Sequence, residues 1–273
     1  MPHGEETPVD RPTRDTGPFR PPAALEYLGS GTQHHVFASP RWVVKVPRLT
    51  GLGLLARLLT PRRLLSHSAR DLGGLVVPFL ELGPVRFHAP PPASVRPATG
   101  SIKNFSARRA IVMPRIAASA LLETRLGNAD SAETARLLGL LEAHLTELHA
   151  RGYYMIDFIQ KNFVVRDEGV RILDLGLVVP VRWLREPTCR ITSSRFTRGL
   201  LRDYEALARR KAAAADETGA STLLDASAAF ARTMRELRKP TSVKPSSPGR
   251  PVEFPRELEA EARTTLMEGH RTP

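Results

Sequence analysis

The stretch that most constrains how this chain can fold and act covers residues 145–177. It reads as the end of a helix, then a loop carrying Asp157 and Asn162, then two short strands joined by a turn. The second strand ends at Asp174, which shares its face with apolar residues because strand side chains alternate. A carboxylate at the end of an apolar face requires a partner. A metal ion is the obvious one, so the sequence predicts a metal site at this strand end.

Two carboxylates and one amide in this order suit phosphoryl transfer. The transferred group spreads negative charge over its oxygens, so a protein has to position and neutralise it. Asp157 would take or orient the proton of an acceptor hydroxyl. Asn162 and Asp174 would hold Mg²⁺, which prefers oxygen ligands and keeps several waters.

These residues resemble those of the protein-kinase-like superfamily. The spacing from Asp157 to Asn162 matches its catalytic loop, and residues 174–176 (Asp-Leu-Gly) stand where the family has Asp-Phe-Gly. Residues 155–156 are Met-Ile where the family usually has His-Arg, which argues against control by activation-loop phosphorylation. Many protein Ser/Thr kinases carry a lysine two residues after the aspartate. Ile159 is at that place here, which points away from a protein side chain as acceptor.

A glycine-bearing turn and a lysine precede this region. Gly29 and Gly31 lie in a turn between two predicted strands, and Lys45 interrupts the valine-rich strand that follows. In kinase-like proteins a glycine loop covers the ATP phosphates and a strand lysine pairs with them. The resemblance therefore assigns Gly29, Gly31, Val36 and Lys45 to ATP. Taken singly, the turn reads as an ordinary hairpin and the lysine as an edge-strand charge, so the order relative to Asp157 carries the assignment.

The resemblance also locates a hinge that would contact adenine through backbone groups, at residues 113–116. Pro114 has no N–H, so Met113 or Arg115 would supply any donor.

Residues 48–72 are rich in leucine and arginine and allow two interpretations. One is a helix pair packed on the small sheet and broken at Pro61; the other is a membrane-surface helix. Kinases of the family carry a glutamate here that pairs with the strand lysine. There is no glutamate between Lys45 and Leu80, and Asp71 is the only acid. This departure favours an alternative function, a pseudokinase or nucleotide-gated binding module.

The charge balance predicts an anionic partner. The chain has 40 Lys+Arg against 28 Asp+Glu, a net charge of +12, so a polyanion, a membrane surface or nucleic acid has to be considered. Residues 182–210 contain eight arginines against three acidic residues, a net charge of +5, and follow Asp174 where the acceptor should bind. The alternative is a solvated helix face. A single cysteine, Cys189, and the lack of a long apolar run predict a cytoplasmic protein, soluble or peripheral at the inner face of the membrane.

Taken together, the sequence predicts an α+β, bilobal protein-kinase-like fold with a small antiparallel β N-lobe and an abbreviated, mostly helical C-lobe. The expected boundaries are a disordered tail at 1–22, the N-lobe at 23–113, the C-lobe at 114–237, and a Pro-rich linker and tail at 238–273. The clearest helix is expected at 130–150, with a leucine stripe facing the catalytic loop.

Within the superfamily the chain is most similar to the bacterial branch of lipopolysaccharide kinases and YrbL-like proteins, given the short large lobe and the Trp/Arg-rich segment after Asp-Leu-Gly. Membership implies ATP, Mg²⁺ and a hydroxyl acceptor, an anionic glycolipid such as lipopolysaccharide core or a protein. The alternatives are the pseudokinase or scaffold above and a protein Ser/Thr kinase. Nucleic-acid binding is the least favoured, because no aromatic-and-glycine motif of an RNA reader is present.

Overall fold

The computed structural model describes residues 25–30, 34–47, 72–90, 103–166, 169–174, 178–239 and 253–267. In these residues the chain is α+β, with a small antiparallel sheet and five helices. Several predicted features lie outside the described residues: the 1–22 tail, Gly31, the Leu/Arg-rich residues 48–71, Leu175-Gly176 and the linker at 240–252. None of the described helices is long and apolar enough to cross a membrane.

Five antiparallel strands form the main sheet: β1 Glu26–Ser30, β2 His34–Ala38, β3 Trp42–Pro47, β4 Leu80–Leu82 and β7 Ala110–Pro114. Their order across the sheet is β1-β2-β3-β7-β4. A separate hairpin of β5 (Val85–Ala89) and β6 (Lys103–Ala107) lies in the chain between β4 and β7. Val36 is opposite Lys45, and Lys45 is opposite Ile111, so these three residues share one face of the sheet.

The two faces of this sheet differ because β3 alternates. Trp42, Val44 and Val46 are buried, while Val43 and Lys45 are partly exposed on the other side. The buried face packs against Phe37 and Phe87 of neighbouring strands and against a helix from the end of the chain.

That helix, α5 (Arg256–Met267), lies within residues 238–273, which the sequence assigns to a Pro-rich linker and tail. Leu258, Ala262 and Leu266 recur at every fourth residue, and all three are buried in the cluster that contains Trp42. α5 is thus part of the core on this face of the sheet.

The larger core belongs to four helices: α1 (Leu122–Asn128), α2 (Ser131–Ala150), α3 (Pro187–Ala212) and α4 (Glu217–Leu237). The predicted helix at 130–150 is confirmed. Asp130 caps α2 by accepting the N–H of Glu133 at 2.8 Å, and the leucine stripe is buried at Leu138, Leu141, Leu145 and Leu148. The arginine-rich residues after 187 form α3, whose first turn starts at Pro187.

Four short strands lie on the helical core: β8 Tyr153–Met155, β9 Phe163–Arg166, β10 Gly169–Ile172 and β11 Val178–Pro180. The predicted hairpin is confirmed as the β9–β10 pair, with Gly169 at φ +138° opposite Arg166. β10 also reaches the segment before β4, because the Val77 N–H donates to the Ile172 carbonyl at 2.9 Å. This bond joins the end of β10 to the part of the chain that leads into the main sheet.

Candidate functional site

Lys45, on the central strand of the main sheet, meets Asp174. The Lys45 Nζ lies 3.5 Å from Asp174 Oδ2 and donates to the Leu173 carbonyl at 3.4 Å. The Lys45 side chain is 13% exposed and that of Asp174 is 44% exposed, so one partner is nearly buried while the other reaches solvent. Asp174 is therefore an ion-pair partner of Lys45 in the described part of the chain.

The backbone around Asp174 is held from two sides. The Leu173 N–H donates to the Asn162 carbonyl at 2.8 Å, and the carbonyl of Ile172 accepts from Val77. The end of β10 is therefore tied both to the loop that carries Asn162 and to the segment before β4.

Asp157 and Asn162 are joined directly across their loop. The Asn162 Nδ2 donates to the Asp157 carbonyl at 3.0 Å and to Asp157 Oδ2 at 3.3 Å. A 3₁₀ turn at Gln160–Asn162, in which the Asn162 N–H donates to the Ile159 carbonyl, brings the two side chains together over the five-residue spacing. The amide nitrogen is engaged by Asp157, so the Oδ1 of Asn162 is turned away from it.

Partial burial raises the pKa of Asp157 above its usual value. The hydrogen bond from Asn162 and the charge of Lys161 act in the opposite direction, and the nearby charge of Asp174 raises the pKa further. Two carboxylates that repel each other in this way favour a cation or a proton between them.

The loop is supported from below by a tyrosine that the sequence analysis did not identify. Tyr204 of α3 is buried, and its hydroxyl donates to the carbonyl of Phe158, the residue after Asp157, at 3.0 Å. The ring also stacks on Phe158, with centroids 6.1 Å apart. Burial raises the pKa of Tyr204, so the phenol stays protonated and keeps donating. The only sequence signal was the apolar spacing of α3, which indicates a buried face but not what it contacts.

A small apolar cluster lies beside Lys45. Met113, Val77 and Val164 are buried there, and Val43, Ile116 and Leu173 pack against them from the sheet and the helical core, together with Phe79, Ala120 and Leu121. The sequence could have indicated three of these residues by their position next to predicted site residues. Val43 is two before Lys45 on the same strand face, Val164 is two after Asn162, and Leu173 precedes Asp174.

The two predicted hinge donors lie beside β3. The Arg115 N–H donates to the Arg41 carbonyl at 2.8 Å, and Met113 is opposite Val43 in the β3–β7 ladder. The Arg115 N–H is therefore engaged within the protein, and the adenine donor expected at these residues stays a prediction. The Arg115 side chain donates to the Ser39 carbonyl at 3.0 Å.

The turn before β2 is described only in part. Gly29 has φ +153°, a conformation that L side chains rarely adopt, and the β1–β2 register shifts between Tyr27 and Gly29. Val36 is opposite Lys45, which places it on the same sheet face. Val36 is therefore on the strand next to Lys45, whereas Gly29 is on β1, one strand further away.

One divalent cation fits the donor set at Asp174 and Asn162. Together they offer a carboxylate and an amide oxygen, both hard ligands of the kind Mg²⁺ takes. Across the described ranges no group of three or more His, Cys, Asp or Glu side chains could hold a metal ion. Two protein ligands match the habit of Mg²⁺, which completes its octahedron with waters and substrate phosphates rather than an all-protein cage.

No family model matches this chain, and no curated protein matches it either. The case for its function therefore rests on the residues and distances above.

Proposed function

We propose that this chain is an ATP- and Mg²⁺-dependent phosphotransferase of the protein-kinase-like type, acting on a hydroxyl acceptor. The observation that carries the proposal is the convergence of two distant groups. Lys45 of the sheet lies 3.5 Å from Asp174, whose strand end is hydrogen-bonded to Asn162. An amine, two carboxylates and an amide are the set that phosphoryl transfer uses.

The wider arrangement supports the same proposal. The sheet order β1-β2-β3-β7-β4 and a second, helical core with its own hydrophobic cluster are compatible with a bilobal, kinase-like fold. The apolar cluster around Val43, Met113 and Leu173 lies next to Lys45, where a flat apolar base such as adenine would be held.

Each residue has a role in this proposal. Lys45 binds the α- and β-phosphates of ATP, and Gly29 and Val36 border them from the turn and β2. Asp157 accepts or orients the acceptor hydroxyl proton, held by Asn162 and supported through Phe158 by Tyr204. Mg²⁺ bound by Asp174 and Asn162 supplies neutralisation of the phosphate charge.

The proposed acceptor is anionic, because the region that follows Asp174 is basic. The arginines of 182–210 are the reason for favouring a sugar hydroxyl of a lipid-linked glycan, such as lipopolysaccharide core, at the inner membrane face. A protein Ser/Thr acceptor remains the alternative, and incubation with labelled ATP and separate lipid, glycan and protein fractions distinguishes the two.

Paired substitutions test the enzyme. Asp174→Asn should abolish Mg²⁺-dependent ATP turnover, whereas Asp203→Asn, the same change on the exposed side of α3, should leave it unchanged. Lys45→Met should weaken ATP binding, and Lys239→Met, at an exposed lysine, should not. Turnover that survives Asp174→Asn would contradict the assignment.

A pseudokinase is the second candidate, favoured by the absence of a glutamate between Lys45 and Leu80 and by Met155-Ile156 before Asp157. Thermal stabilisation by ATP, combined with no transfer to water or to any extract fraction, would select this reading.

A further inference from the structure

The first half of α3 presents an unusual exposed surface. Before Leu200, the buried residues of this helix are Ser193 and Thr197. The rest of this half and the next turn expose a surface that we call the arginine ridge, formed by Arg190, Ile191, Arg195, Phe196, Arg198 and Arg202. Ile191, Arg195, Arg198 and Arg202 recur at three- and four-residue spacing and so form one stripe.

The ridge concentrates positive charge that is not neutralised locally. Over residues 182–202 there are six arginines and one acidic residue, a net charge of +5. Among the described residues, no carboxylate lies within ion-pair distance of Arg195, Arg198 or Arg202. Further along, by contrast, Glu205 pairs with Arg209 and with Arg235. The basic stripe is therefore offered to solvent.

Further positive charge adjoins the ridge. Arg182 and Arg185 are exposed just before α3, and Arg238 at the end of α4 donates to Ser194 on the flank of the stripe. Arginines from the segment before α3 and from the end of α4 therefore add to the positive charge near the first half of α3.

Large apolar side chains are exposed among these charges. Ile191 is 66% exposed and Phe196 is 43% exposed, and they are two of the four exposed large hydrophobic residues in the described part of the chain. A single exposed apolar residue is ordinary. Ile191 belongs to the stripe, and Phe196 lies on its flank, about 100° around the helix from Arg195. Exposed apolar side chains among arginines match the composition of helices that lie on membrane surfaces.

We propose that the arginine ridge binds an anionic lipid surface. The guanidinium groups would contact headgroup phosphates, while Ile191 and Phe196 enter the boundary between headgroups and acyl chains. A nucleic acid would satisfy the arginines equally well but would give the aliphatic Ile191 nothing to bury against. The exposed apolar pair is what selects lipid over a soluble polyanion.

Binding there would fix the candidate site relative to the membrane. The Tyr204 hydroxyl of the same helix donates to the Phe158 carbonyl next to Asp157, and the Tyr154 hydroxyl lies 2.8 Å from the Thr197 Oγ1. The helix that carries the ridge is thus joined to residues 154–158, which include Asp157, through buried hydrogen bonds. Lipid binding itself does not depend on the proposed phosphotransfer.

The test is sedimentation of the full chain with vesicles of phosphatidylcholine, with and without phosphatidylglycerol. The combined change Arg195→Gln, Arg198→Gln and Arg202→Gln should weaken binding to the anionic vesicles by about fivefold per arginine, roughly a hundredfold in all. The matched control is Arg108→Gln, Arg166→Gln and Arg256→Gln, which removes the same charge from exposed positions elsewhere. The control should stay within about fivefold of the unsubstituted protein.

A second pair of variants separates lipid from other polyanions. Ile191→Ser with Phe196→Ser should weaken vesicle binding but leave binding to a double-stranded oligonucleotide unchanged, while Leu224→Ser, at an exposed leucine of α4, should change neither. Equal vesicle binding by the ridge and control triple variants would overturn the proposal. The proposal would also be overturned if Ile191→Ser with Phe196→Ser left vesicle binding unchanged while the triple arginine variant lost binding to the oligonucleotide. Asp174→Asn should bind vesicles normally, which distinguishes failure here from failure of the phosphotransferase proposal.

Discussion

Because α5 docks on the main sheet through Glu261, substitutions of Glu261 should lower the free energy of unfolding by amounts that can be worked out from its contacts. Its Oε1 accepts the indole N–H of Trp42 at 2.9 Å, and its Oε2 lies 3.3 Å from Arg41. Trp42 is fully buried, whereas the Arg41 side chain is 54% exposed. Glu261→Gln keeps an acceptor oxygen and removes the charge, while Glu261→Ala removes both.

The two substitutions should differ in cost. An exposed ion pair contributes about 0–1 kcal/mol, so Glu261→Gln should lower the free energy of unfolding by about 0.5 kcal/mol. Glu261→Ala also leaves the buried indole N–H of Trp42 without a partner, which costs about 1–3 kcal/mol more. Glu257→Ala is the matched control, because the Glu257 side chain is 87% exposed and forms an ion pair with the same Arg41.

Urea unfolding measures these differences. Fluorescence of Trp42 in a Trp183→Phe background reports on the sheet, and the slope with urea should be the same for all variants. In a double-mutant cycle, the Trp42→Phe background should remove most of the extra loss of stability caused by Glu261→Ala. Unfolding of these variants is monitored by circular dichroism, because Trp42 is absent. Equal losses for Glu261→Gln and Glu261→Ala, or a loss at Glu257→Ala as large as at Glu261→Ala, would refute the docking of α5 through Trp42.

Three further predictions concern the helical core and the site. Tyr204→Phe should lower stability by about 1–3 kcal/mol, since it leaves the buried Phe158 carbonyl unpaired, and should lower kcat for phosphotransfer more than it changes the KM for ATP. Burial first, and then the charge of Arg151, lowers the pKa of His144 from 6.5 to about 4. The unfolded chain therefore binds more protons in that window, so stability should fall as pH drops from 6.5 towards 4, and His144→Leu should flatten this slope in urea titrations. The pKa of Asp157 is raised above 3.8, chiefly by burial, so the acid limb of a kcat/KM profile should lie above pH 3.8, and a limb at or below it would exclude Asp157 as the base.

Local features followed directly from the sequence. The helix at 130–150 was readable from its leucine spacing and its Asp130 cap, and the β9–β10 hairpin from its alternation around Gly169. Asp157 and Asn162 were identified as a pair because their spacing within one loop limits how far apart they can lie. Information of this kind acts over a few residues, so a single sequence contains it.

Contacts between distant segments were decided only by the tertiary structure. Lys45 needed a partner by its chemistry, but that this partner is Asp174 depends on how β3 faces the end of β10. Periodicity showed that α5 and α3 each have an apolar face, yet it does not say which surface covers it. The direction of the Arg115 N–H follows from the β3–β7 register, which a one-residue shift would reverse. Local spacing determines which groups require partners, and the packing of elements far apart in the chain determines which partners they receive.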